Sequence, residues 1–290
     1  MNILITGATG FIGKNLIARL KDVHNIHILI RPSSHYNSLQ IGHVFTYEDN
    51  VEKLTDYLKN NQISGIIHLA SLYIAEHKSD QIKDLVLSNV YLGTALLEAC
   101  KMAQTKWFLN TGTIWQNYQA ADLSDDYNPV NLYAASKQAF MDMAKYYVET
   151  SSLRFCTLKL CDTYGGNDTR RKVIALFHYI SENHIHLNMS PGEQKLDLLH
   201  ISDVVNGFIQ LAEMLNDDEE VATEYVLTSG KQISLKDLAH LYEIENKTKL
   251  DITWGGRSYR MREVMKPYKG HVLKKWKPMI SIEEGLRLFE

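Results

Sequence analysis

The 290-residue chain carries 31 basic against 34 acidic side chains, a formal net charge of −3, which argues against nucleic acid or an anionic membrane surface as its main partner. Its length suits a full open sheet plus a smaller lobe, and its 45% hydrophobic content is that of an ordinary globular protein. Cys100, Cys156 and Cys161 form no metal or redox spacing, so reduced, mostly buried thiols, a cytoplasmic location and no metal are expected. No apolar run approaches membrane-spanning length.

Asn2–Thr6 reads as a short buried strand. Gly7-Ala8-Thr9-Gly10-Phe11-Ile12-Gly13 follows, and Ile12, Leu16, Ile17 and Leu20 continue on one helical face. Glycines at a spacing of three, where a strand hands over to a helix, suit close approach. Gly7 permits a tight turn, Gly10 lets backbone N–H groups reach a pyrophosphate, and Gly13 lets helix pack on strand. The helix N-terminus adds partial positive charge for the anion. The segment Thr6-Gly7-x-x-Gly10-Phe11-Ile12-Gly13 resembles the phosphate loop of the extended short-chain dehydrogenase/reductases, the NAD-dependent epimerase/dehydratase family. That resemblance implies an α/β fold, a doubly wound parallel Rossmann sheet with a smaller C-terminal α/β substrate lobe. It also implies that Gly7, Gly10, Phe11, Ile12 and Gly13 hold the cofactor. The dinucleotide-binding domain is expected over 1–163, rejoined by about 197–228, and the substrate lobe over 164–196 and 229–290.

The second predicted strand, Ile26–Ile30, ends in Arg31-Pro32-Ser33-Ser34. A dinucleotide fold places an acidic residue near this point for NAD, whereas an arginine accommodates the extra phosphate of NADP. Arg31 stands there with Ser33 nearby, and no Asp or Glu occurs between Val23 and Tyr47, so NADP(H) is expected rather than NAD. A third strand over Val44–Tyr47, a helix over Val51–Lys59 and a fourth strand over Gly65–Ala70 complete an alternation that predicts parallel pairing with right-handed crossovers. Glu48 and Asp49 each align to the family's acidic contact with adenine. His68-Leu69-Ala70 resembles the family signature at the fourth strand, which puts Leu69 and Ala70 beside the cofactor. His68 itself reads as a packed structural histidine, since its neighbours are apolar and no second ligand lies at metal spacing.

After Ser71 a loop contains His77 and Tyr73, the latter assigned to the substrate. A long helix through Asn89–Cys100 then matches the one that the family carries here. In the family this helix and the one bearing the catalytic tyrosine form a dimer interface, so the resemblance implies a homodimer. Helical spacing alone suits burial within one subunit equally.

The fifth strand, Lys106–Asn110, runs into Thr111-Gly112-Thr113-Ile114-Trp115, and a hydroxyl at the carboxyl end of a parallel strand lies where open α/β sheets bind ligands. The family's catalytic Ser or Thr lies three residues before a Val-Tyr-Gly-like segment, for which Ile114-Trp115-Gln116 stands here. That selects Thr111 for catalysis and substrate contact, with Thr113 as the alternative. Tyr127-Asn128-Pro129 opens a helix whose first turn holds Tyr133-Ala134-Ala135-Ser136-Lys137. The spacing of four puts phenol and ammonium on one face. A neighbouring cation lowers a tyrosine pKa by favouring phenolate, and Lys137 is the expected cation. Thr111, Tyr133 and Lys137 arrive in the family's order and are the predicted catalytic set, with Tyr133 and Lys137 also touching the cofactor.

A sixth strand, Arg154–Cys161, leads to Asp162-Thr163-Tyr164-Gly165-Gly166. This resembles the family's Asn-Val-Tyr-Gly-Pro turn, with Asp162 for Asn and Gly166 for Pro. An acidic group beside a sugar diphosphate is repelled unless it turns toward a hydroxyl or a cation. Arg170, Arg171 and Lys172 follow, and Arg171 and Lys172 are assigned to substrate phosphates. His184-Ile185-His186-Leu187 alternates as a strand. Pro191 to Val205 resembles the family segment that returns the chain to the large lobe, with Leu196 replacing an arginine. Near the C-terminus Arg257, Arg260 and Arg262 cluster, and guanidinium groups suit bidentate diphosphate recognition. Arg260 and Arg262 lead that assignment. Lys275-Trp276-Lys277-Pro278 and a final helix over Ile282–Phe289 resemble the family's ending.

Family chemistries differ around the triad. Dehydratases carry Asp-Glu after the catalytic Thr, where this chain has Gly112-Thr113. Bifunctional epimerase/reductases carry a cysteine beside the catalytic residue, and none is present. The resemblance therefore implies reduction of a 4-keto nucleoside diphosphate sugar by NADPH, most like the 4-ketoreductases that form CDP-abequose and CDP-paratose. A nucleotide-sugar 4-epimerase with retained NAD is the alternative, and Arg31 opposes it.

Overall fold

Asn2–Thr6 forms β1, with Ile3, Leu4 and Ile5 fully buried, as a strand covered on both faces requires. The computed structural model describes residues 1–166, 168–170 and 172–288. After β1 come α1 (Phe11–Leu20), β2 (Asn25–Ile30), β3 (His43–Thr46), α2 (Val51–Asn60) and β4 (Gly65–His68). A short helix α3 (Ile82–Val86) passes through a π-helical turn, Leu87–Tyr91, into α4 (Leu92–Ala103). Next follow β5 (Trp107–Thr113), α5 (Leu132–Thr150) and β6 (Arg154–Leu160).

The smaller lobe adds β7 (Asp162–Tyr164), α6 (Val173–Asn183), β8 (Leu187–Met189), β9 (Lys195–Leu196) and β10 (Leu198–His200). The chain then returns through α7 (Ile201–Asn216) and β11 (Glu224–Leu227), and ends with β12 (Ile233–Ser234), α8 (Leu235–Glu245), β13 (Ile252–Trp254) and α9 (Ile282–Arg287). Seven strands pair in parallel in the order β11-β6-β5-β4-β1-β2-β3. The order reverses between β1 and β4, and the carboxyl end of such a switch is where open α/β sheets bind ligands. The remaining strands form three two-stranded ladders, β7 with β10, β8 with β13 and β9 with β12.

Apolar residues cover both faces of the sheet. Leu16, Ile17 and Phe208 pack one face beneath α1 and α7, and Leu54, Leu96 and Phe140 pack the other beneath α2, α4 and α5. A third cluster, including Phe177, Leu238 and Tyr242, is the core of the smaller lobe between α6 and α8. Tyr268, Leu273 and Trp276 join the first cluster, and the carboxylate of Asp203 accepts the N–H groups of Met279 and Ile280 at 3.0 Å each. The last segment is thereby fastened to the large lobe.

Several elements differ from the sequence reading: the fourth strand ends at His68, the sixth at Leu160 and the last helix at Arg287. The third strand lies one residue earlier. The fifth continues through Thr113, because pairing with β6 runs on from Trp107 opposite Arg154 to Thr113 opposite Leu160. The helix through Asn89 is broken by the π-turn, which brings the Asn89 amide into the interior. The strand expected at His184–Leu187 begins only at Leu187: α6 continues to Asn183, His184 caps it with φ 51°, and Ile185 and His186 are exposed. An alternating pattern without a face to bury does not hold a strand. Phe289, in the predicted last helix, lies outside the described residues.

Candidate active site

The glycine turn is fixed by backbone contacts. Gly7 has φ +69°, and a Cβ there would lie 2.6 Å from the Ala70 nitrogen; at Gly13 a Cβ would lie 2.3 Å from the Gly7 oxygen. Gly10 differs. Its backbone is extended, and an added Cβ would meet only the Gly7 oxygen, at 3.2 Å. Its small size leaves space in the cleft rather than serving internal packing. Gly7, Gly10, Phe11, Ile12 and Gly13 line one side of a cleft of about 520 Å³, and Leu69, Thr111, Tyr133 and Lys137 also face it. Ala70 stands behind the loop, its N–H donating to Thr6 Oγ1 at 3.1 Å. Arg31 and Ser33 are exposed just beyond β2, at the same end of the sheet but outside the cleft lining.

Thr111 is buried on β5, and its Oγ1 has no hydrogen-bond partner among the described residues. A buried hydroxyl left unpaired costs free energy unless a ligand completes it. Tyr133 and Lys137 occupy the first two turns of α5, whose start is set by Asn131: its Oδ1 accepts the Ala134 N–H at 3.0 Å, and its Nδ2 donates to the Ala75 carbonyl at 2.9 Å. Lys137 is 2% exposed. Burial pulls its pKa down to about 8 and pushes that of Tyr133 up to about 12, while a hydrogen bond with Ser71 and the charge of Arg170 pull Tyr133 the other way. Arg170 is a cation that acts on the phenol, and burial outweighs it. The charge of Lys137 acts on His68, which burial first and then this charge pull down to about 3. His68 is packed, with Nδ1 2.8 Å from Thr6 Oγ1 and its ring against Phe108 and Phe140.

Several residues enter the site without a clear sequence signal. Asn89, carried inward by the π-turn, accepts from the Leu72 N–H at 2.7 Å and the Ser71 hydroxyl at 3.2 Å. Its Nδ2 donates to Ser136 Oγ at 2.9 Å, and Ser136 donates to the Tyr133 carbonyl at 2.7 Å. The loop after β4 is thus tied to the turn that bears the phenol. Arg170 reaches the same cleft: Nε donates to Asp168 at 2.7 Å, a terminal nitrogen donates to the Thr163 carbonyl at 2.9 Å, and the guanidinium lies 4.2 Å from the Phe11 ring centroid. Its sequence position within a basic run was the only signal. Of the two acidic residues after β3, Asp49 is the one that accepts the Tyr91 hydroxyl, at 2.6 Å.

A second cavity of about 500 Å³ adjoins the cleft, and Tyr73, Ile114, Trp115, Asp162, Thr163 and Lys172 line both. Arg257, Arg260 and Arg262 line the second cavity alone. The Arg262 guanidinium lies 4.6 Å from the Tyr118 ring centroid and donates to Asn128, and its buried Nε has no partner among the described residues. Arg260 Nε lies 3.6 Å from Glu76. Lys172, which lines the same cavity, occupies the position just before α6 and makes no side-chain hydrogen bond to the helix N-terminus. Arg171 lies outside the described residues.

A parallel sheet with a glycine turn at its switch point, and a Thr, Tyr and Lys set facing the adjoining cleft, defines an extended short-chain dehydrogenase/reductase. The chain belongs to the NAD dependent epimerase/dehydratase family, whose model matches residues 3–226, and it is an enzyme of that family. It is 29% identical to a CDP-abequose synthase of Salmonella muenchen over 98% of this chain and 95% of that one. Among solved structures it is similar to the UDP-glucose 4-epimerase of Thermotoga maritima, crystallised with UDP-glucose, at a TM-score of 0.84 and 19% identity over 99% of this chain and 97% of the other. The UDP-glucuronic acid 4-epimerase of Bacillus cereus, in complex with UDP-glucuronic acid and NAD, gives 0.83 and 19% over the same shares. At these identities the two structures speak to the fold.

Proposed function

We propose that the protein is an NADPH-dependent 4-ketoreductase acting on a nucleoside diphosphate 4-keto-deoxyhexose, as in the formation of CDP-abequose or CDP-paratose. One observation carries the proposal: the unpartnered Thr111 hydroxyl faces the same cleft as Tyr133, on a strand that continues as Gly112-Thr113 where a dehydratase needs acidic residues. The clash-limited turn at Gly7 and Gly13 and the open position at Gly10 suit a dinucleotide pyrophosphate. Arg31 and Ser33 would take the adenosine phosphate of NADP.

The dinucleotide, when bound, supplies the hydride. Thr111 orients the sugar carbonyl by donating its free O–H. Tyr133 enters protonated, gives its proton to the carbonyl oxygen, and is left as phenolate. Lys137 and Arg170 provide the positive charge that favours this phenolate. Arg260 and Arg262, with Arg171, would hold the diphosphate, and Lys172 and Tyr73 the sugar end of the substrate. Ile82, Val86, Leu87 and Tyr91 are exposed on α3 and the π-turn, as are Met143 and Tyr146 on α5, which supports a homodimer through these helices. A cytoplasmic location is proposed from three free, buried cysteines.

A 4-epimerase with retained NAD is the second reading, since the family whose model matches residues 3–226 is described by epimerases and dehydratases. With NADPH bound, calorimetric titration of CDP, UDP, dTDP and GDP tests the substrate class. Preference for CDP is expected; failure of all four to bind would remove the proposal.

A further inference from the structure

Of the side chains shared by cleft and cavity, Tyr73, Lys172 and Asp162 form a connected series. The Lys172 ammonium lies 4.5 Å from the Tyr73 ring centroid and 3.4 Å from Asp162 Oδ1. Tyr73 meets Tyr133 edge-on, with ring centroids 5.0 Å apart. Asp162 opens β7, and its N–H donates to the Asp197 carbonyl at 3.0 Å, so paired backbone carries the carboxylate and holds it more firmly than a loop would. Its side chain is 25% exposed. Among the described residues, only Lys172 bonds to it, through Oδ1.

The other charges determine what this carboxylate faces. Arg257, Arg260 and Arg262 line the substrate cavity away from the cofactor cleft, so an anionic diphosphate is drawn to their side and away from a like-charged Asp162. The junction is left to the hexose, which presents uncharged hydroxyl groups. An ionised carboxylate accepts hydrogen bonds and donates none, whereas the amide of an asparagine does both.

We propose that Asp162 accepts a hydrogen bond from a ring hydroxyl of the hexose, and that Lys172 offsets its charge so that it stands beside the sugar without repelling the diphosphate. Asp162 is then a residue that selects among sugars by the hydroxyl they carry at that position. The inference rests on the nucleotide-sugar reading given above.

The test uses the full-length enzyme saturated with NADP⁺ and isothermal titration with CDP, CDP-glucose, UDP and UDP-glucose. For the preferred base, the wild type should bind the glucose conjugate about tenfold or more tightly than the bare diphosphate, the range of a hydrogen bond to a charged group. In Asp162→Ala that ratio should fall to about one to two, while binding of the bare diphosphate and of NADP⁺ changes less than about twofold. Asp162→Asn, which keeps a carbonyl acceptor, should retain part of the ratio, and it decides the matter if the alanine variant loses NADP⁺ binding. A ratio unchanged in both variants, or no gain from glucose in the wild type, overturns the proposal while leaving the nucleotide-sugar reading intact. Failure of all four ligands to bind the wild type would overturn both.

Discussion

On the cofactor side, the residues Gly7 to Gly13 are consecutive in the chain and are held by backbone: an added Cβ would collide at 2.6 Å with the Ala70 nitrogen or at 2.3 Å with the Gly7 oxygen. On the substrate side, Tyr73, Asp162, Lys172 and Arg262 come from separate segments, and side-chain contacts bring them to their neighbours. Arg262 and its partner Asn128 are 134 positions apart. The two cavities share a wall, yet the turn of the first leaves no room for a side chain at Gly7 or Gly13, whereas the second can be altered one side chain at a time. Under the proposed function, a common hydride site can thus be combined with different sugar specificities.

The sharpest probe of the first cleft is Tyr133→Phe, which keeps the ring that packs against Tyr73 on the shared wall and removes the proposed proton donor. Turnover should fall by about 10²- to 10⁴-fold, the usual contribution of a positioned acid, with NADPH affinity little changed by fluorescence titration. Near-normal turnover would remove Tyr133 from the chemistry. Next in size, Arg262→Ala should weaken CDP binding by about tenfold to a hundredfold, the range of a lost charge-assisted hydrogen bond, and leave NADPH binding nearly intact. Equal losses for both ligands would mean that Arg262 supports the fold of both cavities and that the contrast drawn above fails.

The smallest effect concerns Lys137. Its pKa is drawn from 10.5 to about 8 by burial, so between these values the unfolded chain binds more protons than the folded one and stability rises with pH. A Lys137→Met variant lacks this gain. Its stability relative to wild type should therefore decline by about 1–3 kcal/mol between pH 7 and 10, at up to ~1.4 kcal/mol per pH unit. Urea unfolding at both pH values measures it, and a constant difference would show that the ammonium is not buried as described.

The same contrast explains what the amino-acid sequence revealed. The glycine turn, the β-α alternation and the Tyr133-Lys137 spacing are local patterns, and each appears in the structure at its expected place in the chain. Side-chain juxtapositions across the chain were not legible. Nothing local places Arg170 on Phe11 or turns Asn89 toward Ser71 and Ser136. The alternation at His184–Leu187 was misleading for the opposite reason: the pattern is local, but no buried face receives it. Asp162 was legible as a departure from the family pattern, while its neighbour Lys172 required the folded chain.

The central claim is that the reacting hydride comes from a cofactor exchanged at every turnover. It is tested most directly by following NADPH absorbance while a CDP-4-keto-deoxyhexose is consumed. One NADPH should disappear for each 4-keto sugar reduced, and reaction should stop when the NADPH is exhausted. Interconversion of two 4-hydroxy epimers by enzyme that retains NAD, with no net loss of cofactor, would contradict the account and establish the epimerase.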